Sequence, residues 1–151
     1  MRVFESPDEV VAAVGADLGT TEWVEMTQDR VDAFADATGD HQWIHVDVER
    51  AKSGPFGGTI AHGYLTLSLV PWLGSQVFTL GGKGAKLNYG TNKVRFPQPV
   101  PVGSRIRAQV SVAEAQPVKV GTQAVFRYTI EIEGQDKPAC VAETVVLLLP
   151  A

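Results

Sequence analysis

A chain of 151 residues, 44% hydrophobic and 20% charged, suits one globular domain with its own core and excludes a disordered or fibrous protein. A net charge of −4 argues against general nucleic-acid affinity, and the single cysteine, Cys140, excludes an intrachain disulfide framework or a cysteine metal cluster. The N-terminus has no apolar signal core, and the most apolar stretch is broken by His62, Gly63, Pro71 and Gly74, so a cytoplasmic protein without a membrane span is expected.

The first element signalled is a helix at Ser6-Pro7-Asp8-Glu9, with Ser6 as cap, Pro7 at the first helical position and Glu9 completing a capping box. It runs over Val10 to Ala13 and stops at Gly15. Trp23-Val24-Glu25-Met26 reads as a short strand. Thr27 caps a second helix, with Asp29 in its first turn and Val31, Phe34, Ala35 and Thr38 as its buried stripe. Gly39 sits where a C-cap belongs. Asp47 opens one or two further turns through Lys52, and Ser53 to Gly58 is a loop. A long, nearly all-round apolar helix is expected over about Ile60 to Phe78, capped by Thr59 and interrupted by Pro71.

After Gly81-Gly82-Lys83-Gly84, which matches no phosphate-binding motif, period-two alternation takes over. One strand covers Lys86–Tyr89 and Lys93–Phe96, bulged at Gly90. A second carries Ile106, Ala108, Val110 and Val112, and a third Phe126, Tyr128, Ile130 and Ile132. A fourth runs from Ala139 to Leu149. Helices first and long strands second give an α+β class, with an antiparallel sheet covering the apolar helix.

Chemistry concentrates in Gly39-Asp40-His41-Gln42-Trp43-Ile44-His45. A carboxylate and an imidazole turned into one cleft can divide the proton transfers of general acid–base catalysis, worth ~10²–10⁴-fold. Asp40 after a glycine also serves as an ordinary turn residue. His41 and His45 stand four apart, as metal ligands on a helix would, but Gln42 stands where a metalloprotease has Glu and Gly39 argues against a continuing helix, so no metal is expected. Ala61-His62-Gly63 opens the apolar helix, where unpaired N–H groups meet the positive end of the dipole. One such donor at a developing oxyanion contributes ~3–4 kcal/mol.

These motifs together resemble the MaoC-like, (R)-specific enoyl-CoA hydratases. Phe34, Gly39-Asp40, Ile44-His45 and Ala51 match the family's first signature in order. Ile60-Ala61-His62-Gly63 matches its second, and Phe96-Pro97, Pro99-Val100 and Val102-Gly103 its third, so the resemblance covers nearly the whole chain. Two positions depart: Gln42 replaces an Asn that helps orient the site, and Trp43 replaces a Pro.

The resemblance implies a hot-dog fold, a long central helix wrapped by a curved antiparallel sheet, and a homodimer. It implies an acyl-CoA thioester as substrate, with water activated by Asp40 and His45 and the thioester oxygen received at Ile60-Ala61-His62-Gly63. Gln42 would help orient the site and Trp43 would narrow the acyl tunnel. Lys86, Asn88, Tyr89 and Lys93 are further candidate substrate contacts, the lysines suiting coenzyme A phosphates. No separate cofactor is implied. An acyl-CoA thioesterase and a non-catalytic acyl-CoA-binding subunit are the alternatives the sequence leaves open.

Overall fold

The computed structural model describes residues 1–151. In chain order the elements are β1 (Arg2–Phe4), α1 (Pro7–Ala12), β2 (Asp17–Thr20), β3 (Val24–Glu25), α2 (Gln28–Thr38), α3 (Trp43–Val46), α4 (Val48–Lys52), α5 (Gly63–Ser68), α6 (Val70–Gly74), β4 (Phe78–Leu80), β5 (Lys86–Arg95), β6 (Arg105–Val118), β7 (Gly121–Ile132) and β8 (Cys140–Leu148).

Alternation in the second half builds the main sheet. Its order is β2-β6-β7-β8-β5, with β3 also paired to β6. Strands β6 and β7 run antiparallel from Ile106 opposite Ile132 to Val118 opposite Gly121. Ile106, Ala108, Val110, Tyr128, Ile130 and Ile132 are buried on one face. The opposite face carries the ion pairs Arg107–Glu131 and Arg127–Glu143. A one-residue slip would exchange these two faces, so burial itself fixes the register.

Leu65, Val70, Leu73 and Val77 share one buried cluster with those inward sheet residues. A curved antiparallel sheet wrapped on a central helical segment is the expected hot-dog arrangement. The helical segment is shorter and more broken than the sequence suggested. The Ile60 N–H donates to the Ile44 carbonyl at 3.0 Å and the Ala61 N–H to the Val100 carbonyl at 2.8 Å. Both residues are thereby held in extended cross-chain contacts, and α5 begins only at Gly63 with His62 as its cap. Thr59 does not cap; its hydroxyl donates to Gln28 Oε1 at 2.6 Å. Pro71 lacks the N–H needed to continue α5, so the helix ends at Ser68 and resumes as α6 with Pro71 in its first turn. Nor is the segment buried all round, since Tyr64 is 71% and Trp72 45% exposed.

Smaller differences follow from contacts remote in sequence. Strand β1 pairs in parallel with β4 as a separate two-stranded sheet, and β2 pairs with β6; the sequence reading saw none of these three short strands. Ser6 caps α1 without a side-chain bond, and Glu9 accepts from the Glu5 N–H instead of completing the box. Thr38 is exposed rather than part of the α2 stripe. The edge strand β5 bonds only to β8, with register shifts at Asn88/Gly90 and Thr91/Lys93 that bear out the bulge.

Candidate active site

The site is assembled from two chain reversals. Thr27 accepts from the Arg30 N–H and starts α2; Gly39 ends it with φ +83°. That left-handed cap, cheap only for glycine, sends Asp40 off the helix axis. Asp40 Oδ1 then accepts from the Gln42 N–H at 3.4 Å, and one turn of helix, α3, carries His45 back beneath the loop. From Gly39 the sequence reading expected no continuing helix here, whereas one turn forms at Trp43–Val46.

His45 is buried, and its Nδ1 donates to the Ile60 carbonyl at 2.7 Å. This leaves Nε2 as the acceptor nitrogen of the neutral ring. Burial pushes the imidazole below its ordinary value, and the neighbouring His62 adds to the effect; the Ile60 carbonyl and Asp40 act in the opposite direction. The His45 ring stacks on that of His62 at 3.8 Å between centroids, tilted 24°. His62, only 2% exposed, donates from Nε2 to the main-chain carbonyl of Asp40 at 2.9 Å. One ligand atom from each of Asp40, His45 and His62 lies within 4.8 Å of the other two.

A carboxylate and two imidazoles this close are a possible donor set for a divalent ion. Here the two rings meet face to face, whereas a shared ion requires lone pairs converging in both ring planes. His62 Nε2 is also engaged by the Asp40 carbonyl. The arrangement fits an acid–base pair around one water better than a metal centre. His41 plays no part: it is exposed and bonded to Asp36 at 2.9 Å, which raises its imidazole.

The remaining sequence candidates divide. Gly63 opens α5, and a Cβ there would stand 3.1 Å from the Phe96 ring. Ile60 and Ala61 serve through their main chains, Ile60 by holding His45. Gln42 is exposed at the head of α3, with no side-chain hydrogen bond to the pair. Trp43 does not narrow a tunnel: Arg50 covers its ring at 4.2 Å, and a Cβ on Gly54 would stand 3.0 Å from it. Its bulk fills the α3–α4 corner.

A cavity of about 750 Å³ lies between α5–α6 and the strands β5, β7 and β8. Leu67, Val70, Phe126 and Tyr128 give it apolar walls, and Lys86, Asn88 and Tyr89 stand on its β5 side. Burial raises the Tyr128 hydroxyl well above the ordinary phenol value. Lys86 Nζ donates to the Gly82 carbonyl at 2.9 Å. Lys93 is not in the lining, and neither are Asp40 and His45. Phe96, just beyond β5, packs on Gly63, so β5 and its extension run from the cavity to the head of α5.

Residues 9–135 match the family model described as MaoC like domain, a dehydratase family. The chain belongs to the MaoC-like dehydratase family. It is similar to 3-hydroxyacyl-thioester dehydratase Z of Mycobacterium tuberculosis (strain ATCC 25618 / H37Rv), 56% identical over 147 residues and covering 97% of each chain. It is 42% identical to nodulation protein N of Rhizobium leguminosarum bv. viciae, covering 93% of this chain and 89% of that one. Among solved structures it resembles the (R)-hydratase from A. caviae, with TM-score 0.72, 30% identity, and coverage of 89% of this chain and 96% of that one. This MaoC-like protein is therefore an enzyme of the hydratase–dehydratase kind, a carbon–oxygen lyase.

Sequence reasoning about this MaoC-like site missed Gln28. Its Nε2 donates to the His45 carbonyl at 2.8 Å and to Asp32 Oδ1 at 2.9 Å, while its Oε1 accepts from Thr59. A polar residue in a first helical turn carries no signal of a partner 17 positions away.

Proposed function

We propose that the protein is an (R)-specific enoyl-CoA hydratase, adding water to trans-2-enoyl-CoA to give (R)-3-hydroxyacyl-CoA, and running in reverse according to supply, in fatty-acid metabolism. The observation that carries this reading is the closeness of the Asp40 carboxylate to the His45 imidazole, whose Nδ1 is engaged by Ile60, beside the start of α5. One water donating to both acceptors is held with its oxygen free to attack. As that oxygen bonds to C3 of the enoyl group, one proton passes to the pair and the π electrons move to the thioester oxygen. The Gly63 N–H, which has no helical partner, donates to that oxygen. The pair then returns a proton to C2, and atoms and charge balance without an oxidant or reductant.

The names of the relatives, a 3-hydroxyacyl-thioester dehydratase and an (R)-hydratase, support thioester chemistry for this chain as well. In the proposal the 151-residue chain acts as a single domain, located in the cytoplasm, with the acyl tail in the apolar cavity and the coenzyme A phosphates near Lys86 and Lys93. A homodimer forms along β5, where Leu87 (48% exposed) and Tyr89 (68%) lie on an unpaired edge. Such an edge invites a second strand, and a partner seated there would border both the cavity and Phe96.

The test is loss of conjugated absorbance from crotonyl-CoA and longer enoyl-CoAs, repeated with Asp40→Asn and His45→Gln. Each substitution is expected to lower turnover by ~10²–10⁴-fold. Retained activity in both variants rejects the pair. Thiol release from saturated acyl-CoA without hydration indicates a thioesterase instead.

A further inference from the structure

We propose that His62 is a positioning residue for the hydration step, tethering the main chain of Asp40 through Nε2–H and setting the ring of His45 by stacking. This rests on the hydratase reading only for its kinetic readout. The sequence places His62 among the substrate-binding residues, but the geometry assigns it another task. It is 2% exposed, and the one edge it offers to the site is taken by the Asp40 carbonyl. It reaches substrate only through the two residues it holds.

The tether matters because little else holds Asp40. The loop after Gly39 is exposed, and its local bonds are long: 3.5 Å from the Asp40 N–H to Thr38 Oγ1 and 3.4 Å from the Gln42 N–H to Asp40 Oδ1. The bond from His62 is 2.9 Å and comes from 22 residues away. It pins the loop to the head of α5, where the Gly63 N–H lies. The His62 ring also packs against two others, Phe34 at 4.9 Å and His45 at 3.8 Å between centroids. Phe34 and His45 both contact His62, and His45 is the one stacked on it. One ring sets the height of the carboxylate and the plane of the imidazole together.

A second observation separates this role from ordinary packing. His62 Nδ1 is buried and no protein group bonds to it. An unpaired buried acceptor is unfavourable, and an apolar ring of similar size would avoid it. Packing alone does not call for a histidine here, since an apolar ring would lose the bond to Asp40 but also the unpaired Nδ1. The bond to Asp40 is what the histidine adds to a ring-shaped filler.

The test compares His62→Phe, His62→Gln and His62→Met with the unaltered protein. His62→Phe keeps a stackable ring but no donor; Gln keeps a donor able to reach the carbonyl; Met keeps bulk alone. Thermal unfolding, steady-state hydration of crotonyl-CoA and amide hydrogen exchange over residues 39–42 are measured for each. His62→Phe is expected to unfold near the parent temperature, because removing the unpaired Nδ1 offsets the lost bond to Asp40, yet to lose ~10–100-fold in kcat, since misplacement by about 1 Å suffices for such a loss. KM should change less than about threefold. Exchange at 39–42 should quicken in Phe and Met but not in Gln, and Gln should recover part of kcat. Parent-like kcat in His62→Phe, or parent-like exchange in both Phe and Met, overturns the proposal. If Phe fails to fold, equal kcat and equal exchange in Gln and Met overturn it. Absence of hydration by the unaltered protein would sink the hydratase reading, while the exchange data would still decide whether His62 tethers the loop.

Discussion

Gln28, in the first turn of α2, donates from Nε2 to the main-chain carbonyl of His45 at 2.8 Å. The same side chain accepts from buried Thr59 at 2.6 Å. It therefore ties the segment before α5 and the short helix α3 to one fixed element. Gln28→Leu leaves both partners without a bond, and unsatisfied buried groups cost about 1–3 kcal/mol each. Gln28→Glu exchanges a donor for a second acceptor facing a carbonyl and should cost more. Urea unfolding measures both; a change within ~0.5 kcal/mol, typical of a neutral surface substitution, would show that water replaces the clamp.

Gly63→Ala tests the head of α5. The added methyl would meet the Phe96 ring at 3.1 Å, a contact that ordinarily costs about 1–3 kcal/mol when the neighbour cannot move. Phe96 is 39% exposed and can shift, and alanine recovers up to ~1 kcal/mol of helix propensity. The two effects nearly cancel, so stability should change by less than about 1 kcal/mol. Hydration should nevertheless fall by ~10-fold or more, because the methyl crowds the N–H assigned to the thioester oxygen. The double variant Gly63→Ala with Phe96→Leu should keep the loss of rate, since the crowding at the oxygen remains. Unchanged kcat in Gly63→Ala would remove Gly63 from the oxyanion role.

What could be read in the sequence follows the range of the interactions. The strands β6 and β7 were legible because each buries one face, so alternation reports directly on register. The turn at Gly39 was legible because a left-handed cap is a local demand. The start of the apolar helix was not: Ile60 and Ala61 are helix-compatible residues held extended by the carbonyls of Ile44 and Val100. Strands β1 and β4 were missed because a parallel pair of three residues each carries no local pattern. Trp43 was assigned to a tunnel because its size is visible in the sequence, while its partners Arg50 and Gly54 are visible only in space.

Gly39 has φ +83° and open space around it, so a substitution there meets strain but no clash. Gly39→Ala should therefore cost only about 1 kcal/mol, and Gly39→Asn less, because asparagine tolerates the left-handed region. Thermal unfolding reads this difference. Because the same turn aims Asp40, kcat for hydration should follow the same order, parent above Asn above Ala. A Gly39→Ala variant as active and as stable as the parent would show that the α2 end can turn the chain without a left-handed residue.

The imidazole of His45 is held below the ordinary 6.5, first by burial and then by His62, against the opposing pull of the Ile60 carbonyl and Asp40. The unfolded chain restores the ordinary value. Between the folded value and 6.5 the unfolded state therefore binds more protons than the folded state, and stability rises with pH across that window. On acidification the contribution is lost as pH falls below 6.5 toward the folded value, and does not fall further beneath it. Exposed His41, raised by its bond to Asp36, acts with the opposite sign, so the comparison belongs in a His41→Ala background. Urea unfolding at about pH 7.5 and about pH 5.5 should show a larger loss in that background than in one also carrying His45→Gln. The same shift keeps Nε2 of His45 free to accept a proton from water below the pH at which an ordinary histidine is half charged. The acid limb of kcat/KM for hydration should accordingly lie below 6.5, and a limb at or above 6.5 would assign the titrating base to another group.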